Sequence, residues 1–240
     1  MHILALYGWT GNFDIQDRPE IPEALRTGLD ANFNKFSAFT EEDGKERRRT
    51  LSRKLDLTSA IRQFPGARRL SLDEVVDGNF LNTRSHMSID QKRKRYLVGV
   101  QQNWEQWVLP HLRMIARYVT PLYGFSATGP APDILFYASG CATTVMTYEK
   151  KMLADSLMRH FIHKERHLEG YMHDLYKFNL ISSPHIERKI ENYRLIDWIK
   201  SGDRGKIFDV SDCTFAWIAP DRVAPSVRRA LVEAGIIYCE

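Results

Sequence analysis

The chain is expected to fold as an α+β protein: one domain over residues 1–240, with a mixed or antiparallel sheet packed against several helices, one of them long and bent near Pro110. Three observations predict this. Short apolar runs bounded by glycine or proline recur along the chain. Other apolar residues recur at three- and four-residue intervals, and the two kinds of segment alternate without a regular βαβ repeat. With 240 residues the chain can bury roughly 70–75 per cent of its unfolded surface. Its 43% hydrophobic and 27% charged residues exclude a disordered chain, as does the mean hydropathy of -0.39.

His2 to Tyr7 is short, apolar and bounded by Gly8 and Gly11, which predicts a first buried strand. Pro22 opens a helix in which Ala24, Leu25, Leu29 and Phe33 keep helical spacing. The charged stretch from Thr40 to Arg49, with Gly44, reads as an exposed loop. This loop (40–50) and the Gly/Pro segment 124–133 are the candidate weak boundaries. Ser88 and Gln91 have the reciprocal capping spacing, and Leu97, Val100, Trp104, Val108, Ile115 and Tyr118 continue it as a long helix. Pro110 lacks the amide that bonds one turn back and should bend that helix.

Ile134 to Ala138 predicts a central strand, followed by a helix from Thr144 to Glu169. Ser183 and Pro184 start a short helix. Lys206 to Val210 and Cys213 to Ala219 form a hairpin beyond the turn at Asp203, Arg204 and Gly205. Pro225 to Ala234 is helical, Gly235 caps it, and Ile236 to Cys239 reads as a final strand.

Cys141, Cys213 and Cys239 are an odd count without CxxC spacing, which points to a reducing cytoplasm rather than a disulfide framework. The N-terminus has no basic residue before its apolar run and no apolar run approaches 18 residues, so neither signal nor membrane span is expected. Neither glycine-rich phosphate-loop spacing occurs, and no cofactor is expected.

The most site-like pattern is His160, His163 and His167, spaced i, i+3 and i+7. On a helix they share a narrow stripe, while Leu157, Met158, Phe161, Leu168 and Met172 project elsewhere, so the imidazoles are expected to face water or a partner. A transition-metal site would need further ligands, with His173 or Asp174 the nearby candidates. No His-Glu-x-x-His arrangement supplies a general base.

Cys141 stands among small residues between the expected strand and helix, a position that suits a nucleophile, with His173 or His185 as base, although a structural thiol is the favoured reading. Asp133 with Glu149 and Lys151 matches the sparse carboxylate and lysine pattern of metal-dependent nucleases. Trp104, Trp107, Trp198 and Trp217 read as core, and His111 as an interior hydrogen-bonded histidine, whereas Trp9, between glycines, is a candidate binding anchor.

The net charge of +4 is modest, but Lys45, Arg47, Arg48, Arg49, Arg53 and Lys54 form one basic cluster and Lys92 to Arg95 another. The leading expectation is a non-catalytic cytoplasmic protein-binding protein of the immunity type, which neutralises a cognate toxin with an acidic surface. Its binding surface would comprise Trp9, His160, His163, His167, Arg47, Arg48 and Arg49. The alternatives are a metal-dependent nuclease or cysteine-dependent hydrolase, and a nucleic-acid-binding protein using the basic clusters.

Overall fold

Strand β1 (His2–Thr10) runs through the middle of the molecule and sends Leu4 and Leu6 into one hydrophobic core and Ile3, Ala5 and Tyr7 into another. That two-sided burial explains its unbroken apolar run, since a strand covered on both faces carries no alternation. The computed structural model describes residues 1–11, 13–29, 31–42, 44–50, 57–78, 82–101, 104–139 and 147–238.

In chain order β1 is followed by α1 (Glu20–Thr27), β2 (Lys35–Glu42), β3 (Lys45–Thr50), α2 (Leu57–Arg62), β4 (Arg69–Val75), β5 (Thr83–Asp90), β6 (Arg95–Val100), α3 (Trp104–Ile115) and β7 (Thr120–Thr128). Next come α4 (Ala131–Ser139), α5 (Tyr148–Asp155), a π-helix (Ser156–Ile162) and a 3-10 helix (Arg166–Glu169). The chain ends with β8 (Phe178–Ser182), α6 (Ser183–Ile186), β9 (Lys189–Ile190), β10 (Tyr193–Arg194), α7 (Leu195–Lys200), β11 (Lys206–Ser211), β12 (Thr214–Ile218) and α8 (Ala224–Glu233).

Ten strands form one sheet in the order β11-β12-β8-β7-β1-β6-β5-β4-β2-β3, every pairing antiparallel. One core lies between the sheet and α1, α2 and α3, through residues such as Ile21, Leu25, Ile61 and Leu112. The opposite core holds Leu135, Leu157, Phe161, Leu195 and Leu231 from α4, the π-helix, α7 and α8. Among the described residues no helix is long and apolar enough to cross a membrane.

The expected α+β arrangement with a long bent helix is overturned: a large antiparallel sheet dominates and the helices are short. α3 spans 12 residues and contains Pro110. Leu97 and Val100, which supplied the helical period, belong to β6, whose six residues are all buried. Ser88 lies in β5 and Gln91 in the turn that follows. A short run buried on both faces carries no period of its own, so it merged with that of the next helix.

The same ambiguity acted in reverse at Ile134 to Ala138, which is helical, in α4, rather than a strand. The charged stretch expected as a loop forms the β2–β3 hairpin, and all six residues of β3 are exposed at the sheet edge. Such a charged edge discourages pairing with another sheet. The expected final strand is reduced to a bridge between Met172 and Ile237, and Cys239 lies outside the described residues.

Gly170 ends the 3-10 helix with φ +82°, and a Cβ there would stand 2.2 Å from the Pro184 carbonyl oxygen. Gly170→Ala therefore meets both a left-handed backbone and a fixed carbonyl. The expected cost is about 2–4 kcal/mol, read as a lowered urea midpoint; an unchanged midpoint would contradict this packing.

Candidate anion-facing cavity

The segment carrying the histidines is not one α-helix. α5 gives way to the π-helix, whose bonding closes with His163 N–H donating to the Met158 carbonyl at 2.8 Å. Glu165 then adopts a left-handed backbone at φ 54° before the 3-10 helix begins. Each change of helical type rotates the following side chains away from a 100° wheel. The row expected to face outward is thus dispersed: His160 is partly exposed, His163 is exposed, and His167 is turned inward at 4% exposure.

Facing this segment across a cavity of about 410 Å³ are Gly8 and Trp9 of β1, Leu122 of β7 and the turn Lys92–Arg95 between β5 and β6. Met158, Ile162, His163, Glu165, His167 and Leu168 form the other wall. Gly8, at φ 71°, interrupts the alternation of β1: Tyr7 lies in one core and Trp9, two residues on, in the other. A regular strand places such residues on the same face. Without a Cβ, Gly8 also admits the His167 ring, whose Nε2 would stand 3.0 Å from a Cβ built there.

The turn is pinned to the same point. Gly8 N–H donates to the Lys94 carbonyl at 2.8 Å, and the Lys94 ammonium donates to the Trp9 carbonyl at 3.2 Å. Lys94 is itself left-handed, at φ 46°. Non-glycine residues hold that conformation where surrounding contacts over-determine it, a condition concentrated at functional sites. Gly8, Lys94 and Glu165 place three left-handed residues around this one cavity, beside the π-helix.

Arg95 is buried. Its guanidinium donates to the Ser139 carbonyl at the end of α4 at 2.5 Å and stands 3.6 Å from Asp90. Asp90, also buried, accepts from Arg93 through both backbone N–H (3.0 Å) and guanidinium (2.9 Å). These contacts fix the turn, whereas Lys92, Lys94 and His163 are exposed.

Behind the cavity is a layer of histidine and tyrosine. Tyr123 stacks on His185, ring centres 5.5 Å apart, and lies 6.1 Å from His167. His185 Nδ1 accepts from Ser182 N–H at 3.2 Å and its Nε2 pairs with the Tyr171 carbonyl at 3.1 Å, which sets the proton on Nε2. His173 bonds the Tyr176 hydroxyl through Nδ1 at 2.9 Å, and its backbone N–H donates to Tyr123. Burial lowers the pKa of His167 and His173 to about 4 and of His185 to about 3. On the other face His111 bonds the Tyr96 hydroxyl at 2.6 Å and is lowered to about 4 for the same reason.

Of the residues expected at a binding surface, the cavity gathers Trp9, His163 and His167, together with the second basic cluster. Trp9 is not the surface anchor expected: it is 5% exposed and its ring packs on Phe13, centres 6.2 Å apart. Arg47, Arg48 and Arg49 lie apart on β3; Arg48 donates to Ser37 Oγ and Arg49 pairs with Glu42. Asp133 lies in the first turn of α4, and Glu149 and Lys151 in α5. On a helix, residues two apart point about 200° away from each other, so Glu149 and Lys151 do not form the shared face that the nuclease pattern needs.

Cys141 and the side chain of Trp104 lie outside the described residues; Trp107, Trp198 and Trp217 are buried, as expected. No three His, Cys, Asp or Glu converge in a metal-binding group among the described residues. Gly8, Leu122, Met158, Ile162 and Glu165 were not singled out as site residues. Only Gly8, a glycine inside an apolar run, carried a signal. The lining thus offers ammonium, guanidinium and imidazole groups against one carboxylate, a set suited to binding hydrogen-bond acceptors and anions. In comparison with known proteins, the chain matches no family model, no curated protein and no solved structure.

The buried histidines make stability depend on pH. An unfolded histidine takes up its proton near pH 6.5, whereas folded His111 and His167 stay neutral down to about pH 4. Between those values the unfolded chain binds more protons, so acidification favours unfolding, by about 1.4 kcal/mol per pH unit for each such residue. The urea midpoint should be lower at pH 5 than at pH 7, and a midpoint that holds steady would contradict the neutral buried imidazoles.

Proposed function

We propose that the chain is a non-catalytic protein-binding protein acting in the cytoplasm, of the immunity type that neutralises a cognate toxin by covering it. The observation that carries this reading is the interleaved charge beside the cavity. Arg68 faces Asp14 at 2.9 Å, Arg69 faces Glu46 at 2.9 Å, Lys92 faces Glu41 at 2.7 Å and Arg93 faces Asp90 at 2.9 Å. Lys92 and Arg93 line both the cavity and the adjoining groove that includes Arg68, Arg69 and Glu46.

A phosphate track needs cations free to displace counterions. Here each of these cations is already held by a carboxylate that would repel a nucleic-acid backbone. The Lys92–Glu41 pair, exposed on both sides, contributes only about 0–1 kcal/mol, so a partner presenting both signs can exchange with it at little cost. Lys94, whose ammonium is held by the Trp9 carbonyl rather than by a carboxylate, favours a partner that presents an acidic group there. The cysteine pattern supports a reducing compartment.

The test is co-expression with a panel of candidate toxins. The expected results are cell survival and a stoichiometric complex on size exclusion. Lys92→Glu combined with Arg93→Glu should slow association about tenfold at low salt. Absence of both rescue and complex, with DNA retained in a steeply salt-dependent manner instead, would overturn the reading.

A further inference from the structure

We propose that the cavity between Gly8, the Lys92–Arg95 turn and the π-helix is an oxyanion site, which receives the carboxylate of an aspartate or glutamate side chain from the partner protein. The choice of a partner's side chain as the source rests on the protein-binding reading; the oxyanion chemistry rests on the cavity itself.

His167 is the first support. It is 4% exposed, and its Nδ1 is buried with no hydrogen-bond partner. A neutral imidazole has one donor and one acceptor nitrogen. A proton on Nδ1 would bury an N–H with no acceptor, which folded proteins avoid more strictly than an unused lone pair. The proton is therefore assigned to Nε2, the nitrogen beside Gly8. The ring thus presents a donor at the Gly8 wall of the cavity, where an acceptor is the complementary group.

Lys94 is the second. Its ammonium gives one hydrogen to the Trp9 carbonyl and keeps two for a ligand. Its left-handed backbone, tied to Gly8 N–H through the Lys94 carbonyl, holds the side chain at the same end of β1 as His167. An oxyanion with two oxygens can accept from both groups, and charge-assisted bonds of this kind are the stronger ones. Met158, Ile162 and Leu122 give the rest of the lining an apolar character that suits the methylenes of an acidic side chain. Glu165, the one carboxylate of the lining, is exposed, whereas the His167 donor is buried.

The test is a titration of the full-length chain, with 15N-labelled histidine, followed through the His167 ring nitrogens by NMR. Glutarate serves as the mimic of a glutamate side chain and inorganic phosphate as the alternative oxyanion. The expected result is a saturable shift of His167 Nε2 with glutarate. Lys94→Asn, which removes the ammonium while tolerating a left-handed backbone, should weaken binding at least tenfold. The titration of the unsubstituted chain carries the test even if that variant fails to fold.

No saturable shift, or a Lys94→Asn chain that folds and binds glutarate unchanged, would overturn the site. A response to phosphate alone would overturn the carboxylate assignment. A chain that captures its toxin while His167 ignores glutarate overturns this inference and leaves the protein-binding reading intact. A chain that binds glutarate but rescues no cell overturns the partner protein as the source and leaves the oxyanion site intact.

Discussion

The arrangement of the whole site depends on the left-handed backbone of Gly8 in the central strand. β1 pairs with β6 on one side and β7 on the other, and up to Tyr7 its side chains alternate regularly between the two cores. At Gly8 the alternation breaks, so Trp9 enters the core beneath α1 and α3 instead of joining Tyr7. The same residue gives its amide to Lys94 and leaves open the space that the His167 ring approaches. A side chain at this position would be strained by the φ angle and would meet an imidazole at once.

From that point the cavity is built by elements that each depart from regular geometry. The β5–β6 turn ends in left-handed Lys94, the opposite wall is a π-helix, and left-handed Glu165 redirects the chain into a 3-10 turn that buries His167. Irregularity of this kind lowers stability locally and is tolerated where the rest of the fold is firm. The firmness comes from the sheet beneath and from the layer of Tyr123, His185, His173 and Tyr176, whose rings stack and which are tied by hydrogen bonds among themselves and to Ser182. His167 lies against that layer, with its Nδ1 buried and without a partner among the described residues and its other nitrogen turned to Gly8.

Of the sheet, only the first strand and the last hairpin were legible in the residues, where the pattern was local. The first strand, the β11–β12 hairpin and the last helix all follow from apolar runs and turn residues. What was not legible has a common cause, because apolar runs of five or six residues fit a buried strand and a buried helix equally well. Leu97 and Val100 of β6 also fit the period of the helix that follows, and Ile134 to Ala138 of α4 also fits a buried strand. The site was partly legible: a basic cluster at Lys92 to Arg95 and a run of histidines were visible as patterns. Their meeting was not, since it requires both a change of helical type after Asp155 and a long-range contact between residues 8 and 167.

The central claim is that Gly8 divides its neighbours between the two faces and brings His167 against β1. Nuclear Overhauser contacts in the folded chain measure this most directly. The account predicts contacts from the His167 ring to the Gly8 α-protons, and from the Trp9 indole to Phe13 but not to Tyr123 or Phe161. Contacts from the Trp9 indole to Tyr123 or Phe161, with none between His167 and Gly8, would contradict it.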